Sequence, residues 1–107
     1  MRKEILLERE RHDLHDRFGG GVLSYEVWGY VDKGDTVITR YSLAYINHLM
    51  HQRDNGRVLG YDNAHGFHHR YYMGVVESVT FTSYDDTLEQ FQQEWQVLVN
   101  AARRKKS

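Results

Sequence analysis

Between Gly60 and Tyr72 the chain reads Gly-Tyr-Asp-Asn-Ala-His-Gly-Phe-His-His-Arg-Tyr-Tyr, its densest run of groups that hold charge or move protons. Asp62 supplies a carboxylate, Asn63 an amide, His65, His68 and His69 imidazoles, and Arg70 a guanidinium. An imidazole with an ordinary pKa of about 6.5 gives or takes a proton near neutrality. A guanidinium offers a fork of donors to phosphate, and tyrosine rings stack on bases. Metal-free cleavage of RNA needs little more: a base, an acid and a cation at the scissile phosphate. On this reading His68 or His69 is the base or acid, Asp62 orients an imidazole and Arg70 clamps the phosphate. Tyr61, Asn63, His65 and Tyr71 then contact the substrate.

A plainer reading stands beside it. His68-His69-Arg70 serves as a polar turn, and an Asp-Asn pair near a turn bonds its own backbone. Metal chelation is the weaker alternative. Asp62 with His65, His68 and His69 offers oxygen and nitrogen ligands, and His12/His15 and His48/His51 repeat a three-residue spacing. In an extended chain, residues three apart point to opposite faces, and no His-Glu-x-x-His context occurs. No metal and no cofactor are expected. Gly19-Gly20-Gly21 is no phosphate loop, because no Gly-Lys-Ser/Thr follows it.

The elements that must position this segment follow from periodicity. Lys3 to Arg9 reads as a strand, with Ile5 and Leu7 on one face. A polar break follows over Glu10–Arg17 and ends in the glycine run. Val22–Val31 alternates, placing Leu23, Tyr25, Val27 and Val31 on one face. Asp32-Lys33-Gly34-Asp35 marks a hairpin, and Thr36–Leu49 is rich in β-branched and aromatic residues. His51–Gly56 is a polar connection ending in Asn-Gly. Arg57–Asp62 and Gly74–Thr82 complete the strands, the latter with Val75, Val79 and Phe81 on one side.

The period then changes. Leu88, Phe91, Trp95, Leu98, Val99 and Ala102 form a helical stripe. Ser83 lies three residues before Asp86, a capping pattern, and Asp85 and Asp86 suit the positive helix end. Arg103 to Lys106 suit the negative end, or reach an acidic partner. The stripe is expected to bury Phe91, Trp95 and Leu98, since so small a domain needs that face for its own core. The expected fold class is α+β: an antiparallel meander of about five strands with one C-terminal helix packed on a face, in a single domain over residues 1–107.

At 107 residues the chain is too short for two cores. Lys and Arg number 14 against 15 Asp and Glu, which excludes a uniformly basic coat but not a basic patch. The absence of cysteine excludes disulfides, thiol catalysis and thiolate metal sites. No apolar run approaches the roughly 20 residues of a spanning helix. Charge comes too early in Met1–Glu8 for a signal peptide, so a soluble, non-exported, cytoplasmic protein with no membrane contact is expected.

The order of these pieces is similar to the TumE family, toxin components of bacterial type II toxin–antitoxin modules. The resemblance is carried by Leu6-Leu7, Val27-Trp28, Tyr41-Ser42-Leu43-Ala44-Tyr45, then Arg57-Val58-Leu59-Gly60-Tyr61-Asp62-Asn63. A His-rich stretch, Phe81-Thr82-Ser83 and the Phe91/Trp95 helix complete it. Where the family commonly runs Gly-Lys-Gly-Asp-His-Arg-His, this chain has Ala64 to Arg70, which keeps histidines and an arginine. The resemblance implies a growth inhibitor neutralised by a cognate antitoxin, commonly encoded beside it and carrying a helix-turn-helix domain. RNA cleavage is an extension by analogy with other compact toxins. The rivals are a non-catalytic protein-binding module and a nucleotidyl- or group-transferase toxin. A homodimer is compatible with all of them, and Arg40, Tyr61 and the His12/His15 loop are the reserve candidates.

Overall fold

A computed structural model describes residues 3–106. Its six strands form one antiparallel meander in the order β1-β2-β3-β4-β5-β6. They are β1 (Ile5–Asp13), β2 (Val22–Asp32), β3 (Asp35–Ile46), β4 (Arg57–Asp62), β5 (His69–Tyr72) and β6 (Val75–Ser78), and a single helix, α1 (Tyr84–Lys106), closes the chain. The expected architecture is present, but the last strand, expected over Gly74–Thr82, ends at Ser78 and leaves Val79 and Phe81 outside the sheet, and two further strands differ from expectation. β1 runs through the first half of the segment read as a polar break, and β5 forms inside the His-rich segment read as a loop.

Both differences have a physical cause. Glu8-Arg9-Glu10-Arg11 is polar on both sides but alternates in sign, so it pairs along β2 without exposing apolar surface. β5 is short and bounded by left-handed backbone at His65–Gly66 and Met73–Gly74, which closes a tight hairpin to β6. β3 stops at Ile46 instead of running on to Leu49. There the buried Asn47 side chain accepts from the Leu49 N–H at 3.0 Å and donates to Gly19 O at 3.2 Å, which turns the chain away.

One face of the sheet is the core. Leu23, Tyr25 and Val27 of β2, Tyr41, Leu43 and Tyr45 of β3, and Leu59 and Tyr61 of β4 are buried there. Phe91 of α1 is fully buried, edge-on to Tyr25 at 5.8 Å and to Tyr61 at 6.4 Å. Trp95 and Leu98 pack on this cluster while remaining half-buried. Ser83 Oγ accepts from the Asp86 N–H at 3.1 Å, the expected helix cap. α1 lies over β3 and β4, and no helix covers the opposite face among the described residues. Among the described residues, no helix is long and apolar enough to cross a membrane.

Candidate functional site

Strand alternation divides the His-rich segment between the two faces. Register pairs Asp62 with His69 and Gly60 with Tyr71, and all of these except glycine project from the open face. Tyr61 and Arg70, also paired, project toward α1. The expected constellation is therefore two constellations on opposite sides of the sheet.

On the open face Asp62 is the hub. The Tyr71 hydroxyl donates to Asp62 Oδ1 at 3.2 Å, and the Ala64 N–H donates to the same oxygen at 3.3 Å. His69 Nδ1 lies 3.6 Å from Oδ1, and Arg57 Nη1 lies 3.8 Å from Oδ2. His69 Nδ1 is buried without a hydrogen-bond partner among the described residues. Such orphans are rare in folded proteins and catalytic contacts are often long before substrate arrives. The Arg57 guanidinium lies 3.6 Å above the Tyr71 ring centroid and is tethered by Nε to Asp54 Oδ2 at 2.7 Å. Its stem crosses Gly60, where a Cβ would stand only 2.8 Å from Arg57 Cδ. Burial, reinforced by the Asp62 charge, pushes the Tyr71 phenol above its ordinary pKa. It therefore stays a donor to Asp62 at neutral pH.

Next to this cluster the face continues into a depression of about 160 Å³ lined by Trp28, Arg40, Ser42, Asp62 and Ala64. On the other side it opens into a groove of about 1040 Å³ lined by Arg57, Tyr71, His51, Leu49, Met73 and Val76 among others.

Under the helix the chemistry is already satisfied. Arg70 Nε donates to Tyr61 Oη at 3.2 Å and to Glu94 Oε2 at 3.1 Å, and its Nη2 also meets Glu94 Oε2. Arg70 Nη1 donates to Glu77 Oε1 at 3.0 Å. The Glu94 carboxylate holds the guanidinium above even its usual range. Burial, then Glu94, raises the Tyr61 phenol well above the ordinary tyrosine value. Arg70 thus ties β5 and β6 to α1, and Tyr61, buried in the core, faces away from any substrate on the open side.

The other expected site residues scatter. The Asn63 amide is spent on β3: Oδ1 accepts from the Tyr41 N–H at 3.0 Å and Nδ2 donates to Thr39 O at 2.9 Å. His68 Nδ1 meets the Tyr41 hydroxyl at 2.8 Å and its ring stacks on Phe81 at 3.9 Å, beside a cavity of about 450 Å³ near the start of α1. His65 is exposed in a left-handed turn. Of the reserve candidates, Arg40 sits 4.5 Å over Trp28 on the open face, and His12 pairs locally with Glu10 at 3.1 Å. No three His, Asp or Glu side chains converge as a metal site among the described residues.

Sequence reasoning missed Arg57, read only as the first residue of a strand. The signal was the glycine three positions on, since a small residue allows a long side chain to lie flat along a strand. The fold and site define a single antiparallel sheet, helix-backed on one side and bearing a polar acid–base cluster on the other. No protein-family model, curated protein or solved structure matches the chain.

Proposed function

We propose that this chain is a growth-inhibiting toxin of the type II toxin–antitoxin class, acting on cytoplasmic RNA by metal-independent acid–base chemistry at the open face. The supporting observation is the Asp62–His69 pair with Arg57 and Tyr71, gathered on the face that no helix covers. His69 takes the proton of a ribose 2′-hydroxyl, and the freed oxygen attacks the adjacent phosphorus. The bond from phosphorus to the 5′ oxygen breaks, that oxygen takes a proton from water, and a 2′,3′-cyclic phosphate remains. Asp62 stabilises the imidazolium, and Arg57 compensates charge building on the phosphate. In this reading His69, of the two histidines the sequence offered, is the base, and Arg57 replaces Arg70 as the phosphate clamp.

An antitoxin, expected to carry a helix-turn-helix domain, is the natural protein partner. Leu49, Met73, Val75 and Val76 form an exposed apolar rim beside the site, the kind of surface that marks a protein contact. That same rim favours the second reading, a protein-binding module without catalysis.

The test is incubation of purified protein with RNA in EDTA, with the 3′ ends of the products analysed. Cyclic-phosphate ends from the wild type, lost by about 10²-fold or more in folded His69→Ala, are expected. A folded His69→Ala variant that cleaves at the wild-type rate defeats the assignment. Absence of cleavage by the wild type leaves the binding-module reading in possession.

A further inference from the structure

The charges of β1 are sorted by face. Glu8 pairs with Val27 and Glu10 with Tyr25, on the helix side, whereas Arg9 pairs with Glu26 and Arg11 with Ser24, on the open side. Mid-strand, β1 thus turns its glutamates to the helix side and its arginines to the open side, where Asp13, opposite Val22, joins them at the strand end. Arg40 on β3 and Arg57 on β4 share that face. Between them the floor is built of small residues, Ser24, Ser42, Ala44 and Gly60, with Trp28 and Tyr71 as the flat aromatic groups. The acids beside these arginines are engaged with them: Glu4 meets Arg40 at 3.2 Å and Asp54 meets Arg57 at 2.7 Å. Glu26 accepts from the Trp28 indole N–H at 2.8 Å and meets Arg9 at 3.4 Å, and Asp62 belongs to the cluster described above.

We propose that this face is a track for single-stranded RNA, running from the Arg57/Tyr71 cluster across Ser42 and Trp28 to Arg9 and Arg11. The inference rests on the RNA reading above and extends it to substrate class and direction of binding. Guanidinium groups that can exchange a carboxylate for phosphate, with interleaved aromatic rings over a floor of small residues, suit a phosphodiester backbone with splayed bases. A duplex fits poorly, because a flat sheet presents nothing to enter a groove. The span from β5 to β1 is four strand spacings of about 4.8 Å, roughly 19 Å. That length accommodates about four nucleotides, the lower end of the site sizes such surfaces show. A protein ligand is the less favoured occupant, since the exposed apolar rim centres on Leu49, Met73, Val75 and Val76, whereas the path itself is bordered by Leu6 opposite Trp28.

The experiment uses the full chain carrying His69→Ala, so that binding is read without cleavage, and a fluorescein-labelled single-stranded RNA oligonucleotide. Anisotropy is measured across a salt series for this parent, for Arg9→Gln/Arg11→Gln, and for the control Glu8→Gln/Glu10→Gln on the opposite face. Each lost phosphate contact lowers the salt slope by about 0.7 on a single strand, so the arginine double variant should lose about 1.4. Its affinity should fall about tenfold or more at low salt, and the glutamate control should keep the parental slope. With Trp95→Phe added, Trp28 fluorescence should change on RNA addition. Circular dichroism confirms that each variant is folded.

An unchanged slope in Arg9→Gln/Arg11→Gln, with binding lost in Arg57→Gln, overturns the track and leaves the RNA reading standing. A parent that binds no single-stranded RNA overturns both. An arginine double variant that keeps its RNA slope but no longer retains the co-expressed antitoxin assigns the face to a protein and overturns the track as well.

Discussion

His69 and Arg70 are neighbours in the chain and strangers in space. The first faces Asp62 on the open side of β5, and the second is held by Glu94 beneath α1. A two-residue period on a four-residue strand is enough to place one on the open face and the other beneath the helix.

Arg70 therefore acts on stability first. Arg70→Ala leaves Glu94 partly buried and unpaired, and should cost about 3 kcal/mol, the low end for breaking such a pair because both groups keep some solvent access. Urea unfolding should show a lower midpoint with an unchanged slope. A variant of undiminished stability with abolished RNA cleavage would return Arg70 to the substrate.

His68 and His69 should separate in the same pair of assays. His68→Ala loses the Tyr41 hydrogen bond and the Phe81 stack, and should cost about 1–2 kcal/mol. Its cleavage rate per folded molecule should stay near wild type while His69→Ala loses activity. The reverse pattern would move the reaction to the cavity beside α1.

Gly60→Ala tests the path of Arg57. The new methyl group meets Arg57 Cδ at 2.8 Å and Leu43 O at 3.2 Å, so the stem must lift off the sheet. Stability should fall by about 1 kcal/mol, at the mild end of overpacking, because a flexible side chain can yield. Activity should drop about tenfold or more as the guanidinium leaves the Tyr71 ring. Full activity in this variant would remove Arg57 from the mechanism.

Alkaline pH should unfold the protein through its tyrosines. Burial pushes the phenols of Tyr41 and Tyr84 up to about 12, against 10.0 for a free phenol. The folded state thus holds protons that the unfolded state releases. This contribution is complete below about pH 10 and is lost as pH rises toward 12. Thermal midpoints should fall across that window, with late phenolate absorbance at 295 nm appearing together with unfolding. Ionisation of all tyrosines at pH 10 with no loss of structure would contradict the packing.

The α+β class, the meander and the capped helix were legible because Val22–Val31 alternates and Leu88 to Ala102 repeats at helical spacing. Each pattern reports one buried face, and burial is what a sequence states most clearly. The second half of β1 and the whole of β5 were obscured because neither stretch shows an alternating apolar side, so their pairing leaves no hydrophobic trace. The candidate site was legible as a neighbourhood only. Asp62, His69 and Tyr71 were named with the right partners nearby. Which of two adjacent side chains faces the helix depends on where β5 begins, and boundary residues are the least readable part of any strand. Arg57 carried no mark beyond Gly60, and Glu94 falls between the apolar positions of the helical stripe, where nothing singles it out.

The alternation of β1 has a consequence for variation in the chain. Asp13 pairs with Val22, and residues 14–21 between them set the phase in which β1 meets β2. Losing or gaining one residue there exchanges the two sides of the strand, turning Glu8 and Glu10 outward and Arg9 and Arg11 toward α1. Composition, net charge and isoelectric point would hardly register such a change, yet the open face would carry glutamates where it now carries arginines. The polarity of this surface is stored as a parity, in the length of a loop.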